Sequence, residues 1–240
     1  MAAYRDKYLP WARQFLSRHD PDYRFRWKIY FNELERLLKD ADSFLDAGCG
    51  DNQTVRELTF AGLKLGVDRA RPDKPDRFCC ARLEKLPFAA ESFEAIGCRF
   101  VLEHLENPER VFAEFNRILK PGGYLLTQTT NRDHPLIFLA RLLPRRVKRR
   151  LVRKIYGRAG GAEYPTYHRF NRPRNFQTPQ AGLVPLRTWF VEDLHLESKA
   201  MFYVSYFYHV LTRVLRRTNR RSSITALWQK AVESPGDKAL

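Results

Sequence analysis

Across residues 43–128 short apolar runs alternate with helical patterns, and this alternation restricts the fold more than any other feature. Residues 43–47 (SFLDA) predict a strand running into Gly48, Cys49 and Gly50, and residues 54–60 predict the helix behind that turn. Residues 63–67 (LKLGV) predict a second strand ended by Asp68, residues 78–80 a short third, and residues 93–98 (FEAIGC) a fourth. Between 109 and 119, Val111, Phe112, Phe115, Ile118 and Leu119 fall on one side of a helix. Pro121-Gly122-Gly123 then turns the chain into a fifth strand at 124–128. Such alternation implies parallel strands joined by right-handed crossovers. Two further apolar stretches, 186–196 and 199–206, are expected to close the sheet. The predicted fold is α/β: a Rossmann-like, doubly wound, mostly parallel seven-stranded sheet with an inserted helical or irregular cap after the fifth strand.

The flanks differ from this middle. Residues 1–40 are expected to be helical, with Phe31, Leu34, Leu37 and Leu38 on one face. The core is expected over 41–132, the cap over 133–180, the closing strands over 181–206, and basic helices with a tail over 207–240. The chain has 240 residues and a net charge of +16. Residues 1–134 carry 22 basic and 21 acidic side chains, whereas residues 135–240 carry 21 basic and 6 acidic ones. Nearly all the excess positive charge therefore follows the fifth strand.

The glycine turn is the most informative segment. Residues 44–54 (FLDAGCGDNQT) have the order strand, Gly-x-Gly turn, helix start. Glycine allows positive φ and lets a ligand approach backbone unobstructed by Cβ, and a helix N-terminus offers free N–H groups. Asp68 ends the second strand, where doubly wound folds place ligands and where a carboxylate can accept both hydroxyls of a ribose. The full Gly-x-Gly-x-x-Gly pattern and the phosphate loop are both absent, which favours a nucleoside without a phosphate chain over a dinucleotide or triphosphate.

These segments, with LGVDRA and the stretch LEKLPFAAESFEAIGCRFVLEHLENPERVFAEFNRILKPGGYLLTQTTN, resemble a class I S-adenosylmethionine-dependent methyltransferase of the type 11 group. The resemblance covers residues 42–131 and implies S-adenosyl-L-methionine as cofactor. It implies that Asp46, Gly48, Cys49 and Gly50 hold the methionine end and that Asp68, followed by Arg69, binds the ribose. It places Arg82 and Leu83 at adenine, where Arg82 departs from the usual aspartate. Arg99 and Phe100 lie at the floor, and His104 matches the histidine of a Glu-His pair. Some relatives bind a divalent metal through a further Glu three residues before that pair; Phe100 stands there, so no metal is expected.

Methyl transfer to a hydroxyl or amine needs a base within hydrogen-bond reach. The candidates are His104, His134 and His168, each with a structural role as the competing reading. Glu103 reads most simply as a helix-face carboxylate. Tyr164, Tyr167 and Arg169 in the insertion are candidates to line an acceptor pocket, or to pack on the core.

The basic half leaves several partners open. Arg145, Arg146, Lys148, Arg149, Arg150, Arg153 and Lys154 follow the apolar residues Leu136, Ile137, Phe138, Leu139, Leu142 and Leu143, and residues 202–217 repeat the pattern. A solvated basic face, an anionic membrane surface and a nucleic acid all fit, the last without a recognisable module. The expected acceptor is a small or lipid-linked molecule; an RNA methyltransferase and a non-catalytic cofactor-binding module are the alternatives. The first residues contain no apolar run, so no secretory signal is expected. The longest uncharged aromatic stretch, 200–212, is too short to span a bilayer. Cys49, Cys79, Cys80 and Cys98 form no Cys-x-x-Cys pair and read as small buried residues in a reducing cytoplasm. The expected location is cytoplasmic, with peripheral attachment to the inner membrane face as a variant.

Overall fold

The computed structural model describes residues 2–142 and 165–232. Seven strands form one sheet: β1 (Ser43–Ala47), β2 (Leu63–Asp68), β3 (Phe78–Cys80), β4 (Phe93–Arg99), β5 (Leu119–Thr130), β6 (Leu183–Val191) and β7 (Ser223–Lys230). Their order is β3-β2-β1-β4-β5-β7-β6. β1 to β5 pair in parallel, and β7 runs antiparallel to both β5 and β6. The carboxyl ends of β1 to β6 therefore share one edge, and the order reverses between β1 and β4. That is the doubly wound seven-stranded sheet expected from the sequence.

Side-chain alternation divides the core. Phe44, Ala95, Leu126 and Leu227 point to one face, where α2 (Arg26–Leu38) lays down Tyr30, Leu34, Leu37 and Leu38. Leu45, Ile96, Leu125 and Trp228 point to the other, where α4 (Pro108–Ile118) packs Val111, Phe112, Phe115 and Ile118. β1 is buried at all five positions, as a central parallel strand covered on both faces must be. A third cluster joins α1 (Ala2–His19) to α6 (Lys199–Val214) through Ala12, Leu16 and Phe202. α3 (Gln53–Glu57) and α5 (Pro135–Leu142) complete the helices described.

Several expectations need correction. The helix predicted over 54–60 stops at Glu57, because Leu58 is already extended. Residues 199–206 are not a closing strand but the first half of α6. Ser198 caps that helix, its hydroxyl accepting the Met201 N–H at 3.2 Å, and Trp11 and Phe15 of α1 receive its aromatic side chains. The second closing strand is β7, inside the segment expected to be basic helices and tail. Its Ile224, Ala226 and Trp228 are wholly buried. The first closing strand starts and ends earlier than predicted, at Leu183 and Val191. Of the cysteines, Cys49 and Cys98 are buried, Cys79 is half-buried and Cys80 is exposed. Residues 165–180 are irregular apart from a short turn at Pro173–Phe176. The basic cluster 145–154 and Tyr164 lie outside the described residues.

Candidate functional site

The turn after β1 is built on two glycines with different reasons to be there. Gly48 has φ +76°, and a Cβ on it would overlap the Val101 side chain beyond β4. Its N–H and that of Cys49 both donate to the Val67 carbonyl, at 2.7 and 3.1 Å. Gly50 has φ +55°, but a Cβ there would meet nothing within 4 Å. The outer side of this turn is thus bare backbone facing open space, a cradle that a side chain would fill. Asn52 enters α3 with φ 61°. It is wholly buried, and its amide donates to the Asp76 carbonyl at 2.6 Å.

Asp68 stands across from this turn. One carboxylate oxygen accepts the Gly50 N–H at 3.0 Å, the other the Ala70 N–H at 3.2 Å. Arg69 is exposed at the rim, its carbonyl 3.5 Å from the Cys80 thiol. Asp46 lies below in the sheet. Burial pushes its carboxyl up to about 6, opposed by the Arg99 guanidinium and the Thr54 hydroxyl. Burial also raises the Cys49 thiol to about 12, with Asp46 adding to it, which makes Cys49 an inert neighbour.

After β3 the chain turns at Arg82 and Leu83. Leu83 belongs to the core, and Arg82 swings out to Glu84 at 3.6 Å with its side chain 77% exposed. The Arg82 guanidinium is thus a solvent-facing cation beside Glu84. After β4, the Arg99 guanidinium lies over the Phe31 and Tyr30 rings at 5.1 and 5.8 Å. Phe100 takes φ +56°, its N–H donating to the Gln128 carbonyl at 2.6 Å. A left-handed phenylalanine is strained, and here the neighbours on β5 and α2 hold it.

α2 supplies residues that sequence reading missed. The Arg26 guanidinium lies 4.7 Å over the Phe100 ring and pairs with Asp193 beyond β6 at 3.0 Å. The Tyr30 hydroxyl is buried without a hydrogen-bond partner, and a Cβ on Gly97 of β4 would sit 2.5 Å from it. Both residues belong to a segment whose only sequence signal is helical periodicity.

The three histidines part company. His104 ends the short turn Leu102–His104, and its Nδ1 lies 3.0 Å from the Pro165 carbonyl. That carbonyl can only accept, so Nδ1 carries the proton of the neutral ring and Nε2 is the basic atom. His168 is buried, with φ +53°. The Asn171 amide nitrogen approaches its Nδ1 at 2.8 Å and also donates to the Thr130 carbonyl at 3.0 Å. The second bond fixes the amide orientation, so His168 Nδ1 is an acceptor already in use. His134 is buried, its Nε2 3.4 Å from Glu192 Oε1 and its ring edge-on to Tyr208. Glu103, read from the sequence as a helix-face carboxylate, lies in the short turn 102–104 and is buried. The Thr129 hydroxyl donates to it at 2.8 Å, and burial raises its carboxyl. Its carbonyl accepts the N–H groups of Tyr167 and His168 at 2.9 and 3.1 Å. Tyr167 and Arg169 are exposed beside it, with the Arg169 guanidinium 5.9 Å from the Tyr167 ring and bonded to the Glu106 carbonyl. The structure thus gathers His104, Glu103, Tyr167, His168 and Arg169 at the ends of β4 and β5, whereas the side-chain contacts of His134 run to Glu192 and Tyr208.

Residues 45–127 match the family model described as a methyltransferase domain. A ubiquinone biosynthesis O-methyltransferase of Chromobacterium violaceum is 30% identical over 112 residues, covering 40% of this chain and 47% of that protein. One from Nitrosococcus oceani is 31% identical over 152 residues, covering 56% and 59%. The chain spans about half the length of the curated relatives it matches. An S-adenosylmethionine-dependent methyltransferase structure from Methanosarcina mazei superposes with a TM-score of 0.54 at 16% identity, over 84% of this chain and 98% of that one. That likeness establishes the fold. Residues 45–127 are a methyltransferase domain of the type 11 group, set in the class I methyltransferase fold.

Proposed function

We propose that this chain transfers a methyl group from S-adenosylmethionine to a hydroxyl of a small-molecule or lipid-linked acceptor, at a membrane surface. The open backbone of Gly50 facing the Asp68 carboxylate carries this reading. A ligand with a slim chain fits over the bare turn, and one with vicinal hydroxyls fits the carboxylate. Gly48, Cys49 and Gly50 would hold the methionine end over Asp46, Asp68 the ribose, and the backbone at Leu83 the adenine. Arg69 and Arg82 flank the cofactor at the rim, and Phe100 with Arg99 forms its floor. When bound, the cofactor supplies a methyl carbon on a sulfonium, open to direct displacement.

The protein contributes position and a proton acceptor. His104 is the base we assign, because its turn begins at Val101, the residue packed on Gly48, and its Nδ1 is held by a carbonyl. His168 positions the loop through Asn171 and Glu103, and His134 through Glu192. Tyr167 and Arg169 face the acceptor side. The hydroxyl assignment draws on the relatives named for ubiquinone biosynthesis O-methylation.

Labelled S-adenosylmethionine incubated with this protein and extract of its source cells tests the reading. After partition, label in the organic fraction supports it. Label in RNA replaces the acceptor, and a bound cofactor with no label anywhere leaves a non-catalytic module.

A further inference from the structure

α6 is oriented against its own amphipathicity. Its inward face carries Ser205, His209 and Thr212 together with Phe202, all buried. Its outward face carries Tyr203, Val204, Phe207, Leu211 and Val214, continued by Leu215. At about 100° per residue these six span roughly a third of the helix circumference. Val204 is 67% exposed, Phe207 68% and Val214 71%. A water-soluble helix of ordinary design turns such residues inward.

Polar groups justify the inversion on the buried side. His209 Nε2 meets Asp20 at 2.9 Å, and Arg213 meets the same carboxylate at 3.0 Å. The Thr212 hydroxyl bonds the His209 carbonyl and accepts from Arg221. This network fixes α6 in place with its aliphatic side outward.

Charge selects what covers that side. From residue 198 to 232 there are seven basic side chains and no Asp or Glu. Arg216, Arg217 and Arg220 are exposed at the end of the helix, and none has a carboxylate partner among the described residues. A second copy of the same surface would oppose arginines to arginines. Nucleic acid would satisfy the arginines but leave the aliphatic side chains wet. An anionic bilayer satisfies both, with apolar side chains entering the acyl boundary and arginines meeting phosphates. α5 adds Leu136 and Phe138, both exposed. It starts against α6, where the Arg220 guanidinium bonds the Asp133 carbonyl and Tyr208 meets His134. No helix among the described residues is long and apolar enough to cross a membrane, so the geometry is one of lying on the surface.

We infer that the outward face of α6, with Arg216, Arg217 and Arg220, docks this protein in the plane of an anionic lipid bilayer. This sharpens the membrane part of the proposed function and rests on that reading only for the acceptor's entry from the lipid.

The test is flotation of the full chain with phosphatidylglycerol or phosphatidylcholine vesicles, at low and high salt. We expect binding to phosphatidylglycerol alone, weakened by salt. Val204→Asp with Phe207→Asp lowers the partition coefficient at least tenfold. Arg216→Gln, Arg217→Gln and Arg220→Gln together lower it by more, at about fivefold for each arginine. Circular dichroism and cofactor binding stay unchanged in both variants, since these side chains are exposed. Vesicle binding absent, or unchanged in both variants, overturns the inference. So does tighter binding to RNA that only the arginine variant reduces, or a dimer that the Val204/Phe207 variant splits. Loss of cofactor binding with intact flotation would sink the methyl-transfer reading alone.

Discussion

The carboxylate of Asp68 closes on the N–H of Gly50 at 3.0 Å, linking the ends of the two strands that flank the cradle. In the function we propose, a ligand ribose competes for that carboxylate. Asp68→Ala should weaken S-adenosylmethionine binding by well over the ~1 kcal/mol of an ordinary hydrogen bond, because a charged acceptor is lost. Calorimetric affinity within twofold of the unmodified protein, in a folded variant, would remove Asp68 from the ribose role.

The two glycines of the turn separate fold from function. Gly48→Ala drives a methyl into Val101 at positive φ and should lower thermal stability by several kcal/mol. Gly50→Ala meets no protein atom and should cost only ~1 kcal/mol for its φ. Yet Gly50→Ala places a methyl in the cradle and should lower cofactor affinity at least tenfold. Thermal melts and titrations of both variants check the contrast.

Asp46 should reveal a conflict between stability and binding. Its carboxyl is held at about 6 against 3.8 in the unfolded chain, so the folded state is the better proton acceptor between those values. Stability therefore falls as pH rises from about 4 to 6. Asp46→Asn should raise the unfolding free energy by about 1–3 kcal/mol at pH 7.5 and bring no gain at pH 4. The same variant should bind cofactor more weakly.

His209 acts in the opposite direction. Burial, helped by Arg221, depresses it from 6.5 to about 4 despite Asp20. The unfolded chain takes up the proton first, so stability is intact above 6.5 and declines as pH falls toward 4. The loss is at most about 3 kcal/mol. Chemical denaturation of His209→Gln should show a flatter profile across that window.

Among the histidines, His104→Gln should lower kcat by about 10²–10⁴-fold with little change in cofactor affinity. His168→Gln should act through stability, since its ring is a hydrogen-bond acceptor for Asn171. Equal kcat losses in all three histidine variants would argue against a single base.

What can be read from the sequence depends on the range of the forces involved. Gly48, Gly50 and Asp68 are legible because a sharp turn at a strand end imposes local backbone chemistry on a few adjacent residues. The central strands are legible because burial on both faces leaves continuous apolar runs. α6 is only half legible, since its aromatic and β-branched residues favour a strand locally and only α1 makes them a helix. Glu103 escapes a sequence reading because its partner, Thr129, arrives from another strand. Arg26 and Tyr30 escape it for the same reason. Their partners, Phe100, Asp193 and Gly97, are distant in sequence, and no short pattern encodes such meetings.

β7 occupies the gap between β5 and β6, so β6 has no edge to join until residues 223–230 are in place. β1 to β5 can pair with one another without β7, whereas the place of β6 in the sheet depends on it. The β5–β7 pairing joins residues about a hundred positions apart, so it is a long-range step of folding. A chain interrupted before Ser223 would keep the glycine turn and Asp68 but leave the backbone N–H and C=O groups of β5 and β6 unpaired along open edges.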